Sequence, residues 1–112
     1  MPESRRVSLA TAAQIDLDTI AAWSAEKFGP SQAAPYIEAI LDTIAELAAA
    51  KSPSRSMRRD EVAKGMMTLH MRKRGRPGRH LILYSETADE VKIHRLLHDS
   101  MELSRHAPHD DV

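Results

Sequence analysis

The sequence predicts an α+β domain of order β-α-α-β-β-β, with a helical hairpin packed on a small antiparallel sheet. Three observations predict it. Two apolar stripes at helical spacing occupy residues 12–48 and are separated only by Phe28-Gly29-Pro30. The last third, from Arg79 to His106, reads strand, tight turn, strand and a polar end. Within it, Leu81-Ile82-Leu83-Tyr84 is apolar on both faces, the mark of a central, doubly covered strand.

The elements follow in order. Arg5, Val7 and Leu9 alternate with Arg6, Ser8 and Ala10 as a short half-buried strand. Thr11 opens a helix, and Gln14 three residues on completes a capping-box pattern. Ala13, Leu17, Ile20, Ser24 and Phe28 share one helical stripe, with Trp23 at its margin. Gly29 permits the helix to end and Pro30 prevents its continuation. Ser31 is the expected cap of a second helix, with Pro35 in its first turn. Ile37, Ile40, Leu41, Ile44, Leu47 and Ala48 form its stripe. So short a link forces the helices antiparallel.

Residues 51–60 read as a polar loop punctuated by Pro53. Met67, Leu69 and Met71 then alternate with Thr68 and His70, a strand with one wet face. Residues 72–79 hold Gly75, Pro77 and Gly78 and must turn, and 87–90 turn again before Val91–Leu97. Residues 107–112 are expected to fray.

One domain accounts for 112 residues. Without cysteine there are no disulfides or thiolate metal sites, which suits a reducing compartment. No apolar run approaches the roughly 20 residues that span a bilayer, so a soluble, cytoplasmic protein is expected. The zero net charge conceals an asymmetry. Residues 51–80 hold Lys51, Arg55, Arg58, Arg59, Lys64, Arg72, Lys73, Arg74, Arg76 and Arg79 against only Asp60 and Glu61, while both flanks are acidic. Such a basic middle either meets an anionic partner or is a solvated, Arg-rich hairpin tip.

His94 and His98 would share a face on a helix, but on a strand rising ~3.3 Å per residue they stand too far apart to share an ion. No metal and no cofactor is expected. Arg74-Gly75-Arg76-Pro77 matches the core of a minor-groove AT-hook, yet its place between two strands favours a hairpin turn. Trp23, the single tryptophan, reads first as a core aromatic under the sheet and alternatively as an exposed anchor for a partner. Met57, Met66, Met67 and Met71 are expected to fill gaps in the core.

Taken in order, several segments resemble the ParE branch of the RelE/ParE toxins of bacterial type II toxin–antitoxin systems. They are Leu9–Ala13 with Asp16, Leu17 and Ile20; Phe28-Gly29-Pro30 leading to Ala33, Tyr36 and Ile37; Arg58–Glu61 with Gly65; Arg79–Tyr84; and Ile93–Glu102. The closing Arg95-Leu96-Leu97-His98-Asp99-Ser100-Met101 is the sharpest of them. The basic tip at 72–79 is longer than in many ParE-like chains. The resemblance implies a toxin that inhibits DNA gyrase and is neutralised by a cognate ParD-like antitoxin, a ribbon–helix–helix protein with an acidic tail. The antitoxin is expected on Trp23, Arg58, Arg59, Arg72 and Arg79, and the target on Arg95, His98, Met101 and Arg105.

Two alternatives stand beside it: a ribosome-dependent, RelE-like mRNA interferase, and a degenerate, non-toxic antitoxin-binding member. A nuclease needs a general base, a general acid and cations. His70, His80, His94, His98, Tyr84, Glu102, Arg79 and Arg95 supply the types, with Arg95 and His98 the leading pair. RelE-like catalysis uses a basic set with a C-terminal tyrosine or His/Asp. The segment after the last strand offers His98, Asp99, Arg105 and His106 but no tyrosine, and Tyr84 reads as packing with a satisfied hydroxyl. The sequence therefore favours a docking protein over an enzyme.

Overall fold

The structure, a computed structural model, describes residues 4–49, 51–53, 55–73 and 76–99, giving the strand positions within 72–78 by their backbone alone. The elements are β1 (Arg6–Leu9), α1 (Thr11–Phe28), α2 (Pro30–Leu47), β2 (Met57–Arg58), β3 (Met67–Lys73), β4 (Arg76–Glu86) and β5 (Glu90–His98). They form one sheet of order β1-β5-β4-β3-β2 with both helices on one face, the α+β architecture the sequence predicts.

The sheet is mixed. β1 pairs parallel with β5, from Arg6 opposite Glu90 to Leu9 opposite Ile93, while the other pairs are antiparallel. The helical hairpin is the crossover that allows a parallel pair between distant strands. β2, two residues opposite Thr68 and Met67, lies inside the stretch expected to be loop. A pair that short has no periodicity to read.

β1 also fixes where α1 begins. The Ala10 N–H donates to Ile93 O, and its carbonyl accepts the Gln14 N–H at 3.0 Å. Ala10, extended at ψ 156°, is therefore the N-cap, and no side-chain cap forms. Thr11 lies inside the helix, so the predicted capping box is absent. Sheet pairing sets the start instead.

The helices are joined by Gly29 alone, whose φ of +83° and ψ of 156° suit glycine. α2 starts at Pro30 rather than beyond Ser31, which places Pro35 past the first turn on an exposed face. There it deprives the Ser31 carbonyl of its helical donor.

Two cores result. Under the helices, Ala13, Ile20, Ile40 and Leu47 meet Leu69, Met71, Ile82, Tyr84, Val91, Ile93 and Leu96. On the other face Met66, Leu81, Leu83 and Leu97 cluster beneath Val62 and Ala63 of the β2–β3 connection. β4 is thus buried on both sides, as its sequence predicts. Tyr84 is fully buried and donates to Ser52 Oγ at 2.9 Å.

The helical stripes hold only in part. Phe28 is 55 % exposed, Trp23 51 % and Leu41 47 %, and Met57 is also exposed. Thr43, outside the predicted stripe, is buried with its hydroxyl donating to Ala39 O. Thr68 is buried too, under Arg59, so the outer face of β3 is not wet there.

The turn at 72–79 is tighter than expected, because the ladder continues through Arg72 opposite Pro77 and Lys73 opposite Arg76. Its apex at 74 and 75, and the tail from 100 onward, lie outside the described residues, as does the predicted fraying of 107–112. Among the described residues no helix is long and apolar enough to cross a membrane.

Candidate functional site

The site is built by a register shift. β4 and β5 pair His80 with His98, Leu81 with Leu97, Ile82 with Leu96 and Leu83 with Arg95, but Tyr84 with Ile93. His94 is the extra residue of a β-bulge. One inserted residue reverses the in–out alternation of everything beyond it. Val91 and Ile93 face the helices before the bulge, and Leu96 faces them after it. Without that shift His98 would point away from α1. With it, His98 stands beside His80, their rings 5.4 Å apart and nearly perpendicular. His94 instead meets Ser85 Oγ at 2.8 Å, so the bulge separates the two histidines by more than strand rise alone.

β1 stops level with Ile93, and α1 carries the chain onward along β5. Asp16 covers the edge that β1 leaves open. It accepts Arg95 Nε at 2.7 Å, Arg95 Nη2 at 2.9 Å and the Leu96 backbone N–H at 2.9 Å. Two helical turns later Trp23 overhangs His98, where β5 ends. The last turn of α1 reaches past β5, and so Phe28 stays in solvent. Trp23 and Phe28 meet edge to face with centroids 5.7 Å apart, and Lys27 Nζ lies 5.8 Å from the Trp23 ring centre.

Two grooves flank the indole. One, of about 490 Å³, is lined by Trp23, Ser24, Phe28, Gln32, Tyr36, Arg79, His80 and His98. The other, of about 470 Å³, is lined by Asp16, Thr19, Ile20, Trp23, His80, Leu96 and His98. The Tyr36 hydroxyl is 2.5 Å from His80 Nδ1. Burial raises the Tyr36 pKa against a hydrogen bond from the Arg79 backbone, and burial together with His98 lowers that of His80. The phenol is therefore protonated and the imidazole neutral at pH 7. The two groups share one hydrogen bond, whose direction is set by the His80 tautomer. Asp99 lies within 3.5 Å of His98 Nδ1 and 3.4 Å of His70 Nε2, its own N–H on Arg79 O.

This set offers stacking surfaces and hydrogen-bond donors. Among the described residues no three His, Cys, Asp or Glu side chains are placed to hold a metal ion.

The predicted site residues divide. Trp23, Arg79 and His98 converge on the grooves. Arg58 and Arg59 do not, because β2 is the far edge of the sheet. Arg58 is exposed beside Asp60 at 3.8 Å, and Arg59 bonds Thr68 Oγ1 at 3.1 Å. Arg95 is held by Asp16. The Arg72 side chain, Met101, Arg105, His106 and the apex of the AT-hook pattern lie outside the described residues. The sequence reading missed Tyr36 and left His80 in an undifferentiated supply. An aromatic at helical spacing from Ala33 and Ile40 reads as core, and only the approach of β4 reveals its hydroxyl contact.

Half-buried histidines make stability depend on pH. Burial, first of all, lowers the pKa of both His80 and His94 from 6.5. The unfolded chain therefore binds more protons, and stability rises with pH in this range. Their contribution is complete above about pH 6.5 and is lost as the pH falls through the lower folded values. Urea midpoints should drop between pH 7.5 and 5.5, and His94→Gln should flatten that slope.

This arrangement of helices and mixed sheet is the fold of a solved structure. A chain of "Chromosomal ParDE TA system from P. aeruginosa" superposes with a TM-score of 0.68 at 18 % identity, over 87 % of this chain and 98 % of that one. The two chains thus share one fold. The family description "ParE toxin of type II toxin-antitoxin system, parDE" matches residues 7–103, and the chain belongs to that family. No curated protein matches it in sequence.

Proposed function

We propose that this chain is the cytoplasmic toxin of a type II toxin–antitoxin pair, that it acts by docking on DNA gyrase, and that a ParD-like antitoxin neutralises it. The observation that carries docking over cleavage is the Asp16–Arg95 pair. The cation that a nuclease reading would most need for an in-flight phosphorane is held by a carboxylate that also caps the sheet edge. The exposed Trp23 and Phe28 give a docking surface the rigid aromatic anchors on which interface energy concentrates. Purified gyrase assayed for supercoiling is the test. Stoichiometric protein should abolish supercoiling, and unchanged supercoiling together with unimpaired growth on expression would reject the reading.

The antitoxin is expected to bring an acidic, ribbon–helix–helix-linked tail that orders on binding. Trp23 and Arg79 lie at the grooves and Arg58 and Arg59 at the far edge of the sheet, so one tail reaching all four has to cross from the groove to that edge.

A second reading, the mRNA interferase, draws on Tyr36, His80 and His98 standing side by side with Arg79 at their rim. Cleavage of message on translating ribosomes that disappears in His98→Ala would establish it. Intact message would remove it.

A further inference from the structure

We propose that the paired grooves around Trp23 bind unpaired nucleotides of a single strand, with one base on each side of the indole. This goes beyond docking on gyrase and is carried by the shape of the two grooves rather than by the exposure of Trp23 alone. The grooves share Trp23, His80 and His98, so the tryptophan is a partition standing on a common floor. Each volume falls within the roughly 300–1,000 Å³ of small-molecule sites, enough for one base and its sugar. The partition is half exposed, and Phe28 meets it nearly at right angles, at 83°. A base entering the first groove thus finds a stacking face and an edge together.

Polar groups decide between occupants of similar shape. The His80 and His98 rings and the Arg79 guanidinium place polar nitrogens around an aromatic hollow. An apolar peptide side chain would bury them without acceptors. Base edges and phosphates supply acceptors to all three. A duplex hides its base faces and cannot place the indole between two of them.

Charge agrees with this. The nearby carboxylates are engaged, Asp16 by Arg95 and the Leu96 N–H, Asp99 beside His70 and His98. Lys27 Nζ, 5.8 Å from the indole centre, is a flexible cation that swings from the ring to a phosphate when a base takes that face. The β3–β4 ladder runs on past the His80–His98 pair to Lys73 opposite Arg76. Arg79, at the rim of the first groove, is the cation placed to meet a phosphate of a strand leaving it.

The reporter is built in, since Trp23 is the chain's single tryptophan. Purified protein is titrated at low salt with a short single-stranded oligodeoxyadenylate, its ribose counterpart, the matching duplex and free AMP. Saturable quenching by a single strand is expected, with duplex and AMP at least about tenfold weaker. The tighter of the two strands identifies the sugar. Anisotropy of a labelled strand should show Trp23→Ala binding about 10- to 100-fold more weakly. The helical circular dichroism should be unchanged, because the side chain is exposed. Arg79→Ala should reduce the salt slope by about one. No quenching at millimolar strand, equal quenching by duplex or AMP, or unaltered affinity in Trp23→Ala would each overturn the proposal. No gyrase is present in the titration and no free strand is needed in the supercoiling assay, so the two readings fail separately.

Discussion

Arg5→Met is expected to lower the free energy of unfolding by about 3 kcal/mol, at the lower end of what breaking a buried ion pair costs. Arg5 is only 7 % exposed and its side chain makes five hydrogen bonds to three separate segments. Nε donates to Ala49 O, and Nη2 donates to Leu47 O and Ser52 Oγ. Nη1 donates to Glu86 Oε1 and Thr87 O. The guanidinium thereby satisfies carbonyls at the end of α2 and ties them to the β4–β5 turn. Methionine fills the volume but leaves those acceptors buried without donors. Water around the 31 %-exposed Glu86 side chain keeps the cost from rising further.

For a domain of this size the melting temperature should fall by about 10–20 °C. A change of under about 3 °C would mean that water replaces the guanidinium at little cost. The pH dependence gives a second check. Burial raises the Glu86 pKa, but hydrogen bonds from Ser52 and Arg5 outweigh it and leave the value below 4.5. The stabilisation is present above that unfolded value and is lost as the pH falls through the folded one. The gap between parent and variant should therefore narrow below about pH 4.

Leu83→Ala should cost about 2–4 kcal/mol by equilibrium urea unfolding, although Leu83 points away from the main core. It is fully buried, and what covers it is Met66, Leu81 and Leu97 with Val62 and Ala63 overhead. A loss below about 1 kcal/mol would mean that the 59–66 connection leaves this face open to water. Leu41→Ala is the control, because periodicity places both leucines inside. Leu41 is 47 % exposed, and its loss should cost no more than about 0.5 kcal/mol.

The Leu41 and Leu83 pair illustrates how far the sequence could be read. Apolar residues on both faces of Leu81–Tyr84 can be reconciled only with two covers, so β4 was legible as central without knowing what the covers are. A stripe is weaker information. It states which side of a helix is greasy, while burial depends on how far the opposing sheet extends. β5 ends level with Trp23, and so Phe28 and Trp23 became surface. Likewise Arg5 reads as a charge at the start of the Val7 and Leu9 face of a short strand, with no partner named by the spacing. Its burial arises because α2 ends and the β4–β5 turn closes at the same place.

By itself the sequence determined the helical hairpin, the central strand, the order of elements and the resemblance that the family match supports, since all of these rest on spacing along the chain. Only the tertiary structure decided the parallel β1–β5 pair, the bulge at His94 and the meeting of Trp23, Tyr36, His80 and His98. The physical reason is parity. A strand's sequence fixes which residues alternate, but a single inserted residue chooses which set faces the helices, and that choice is made by pairing with a partner strand.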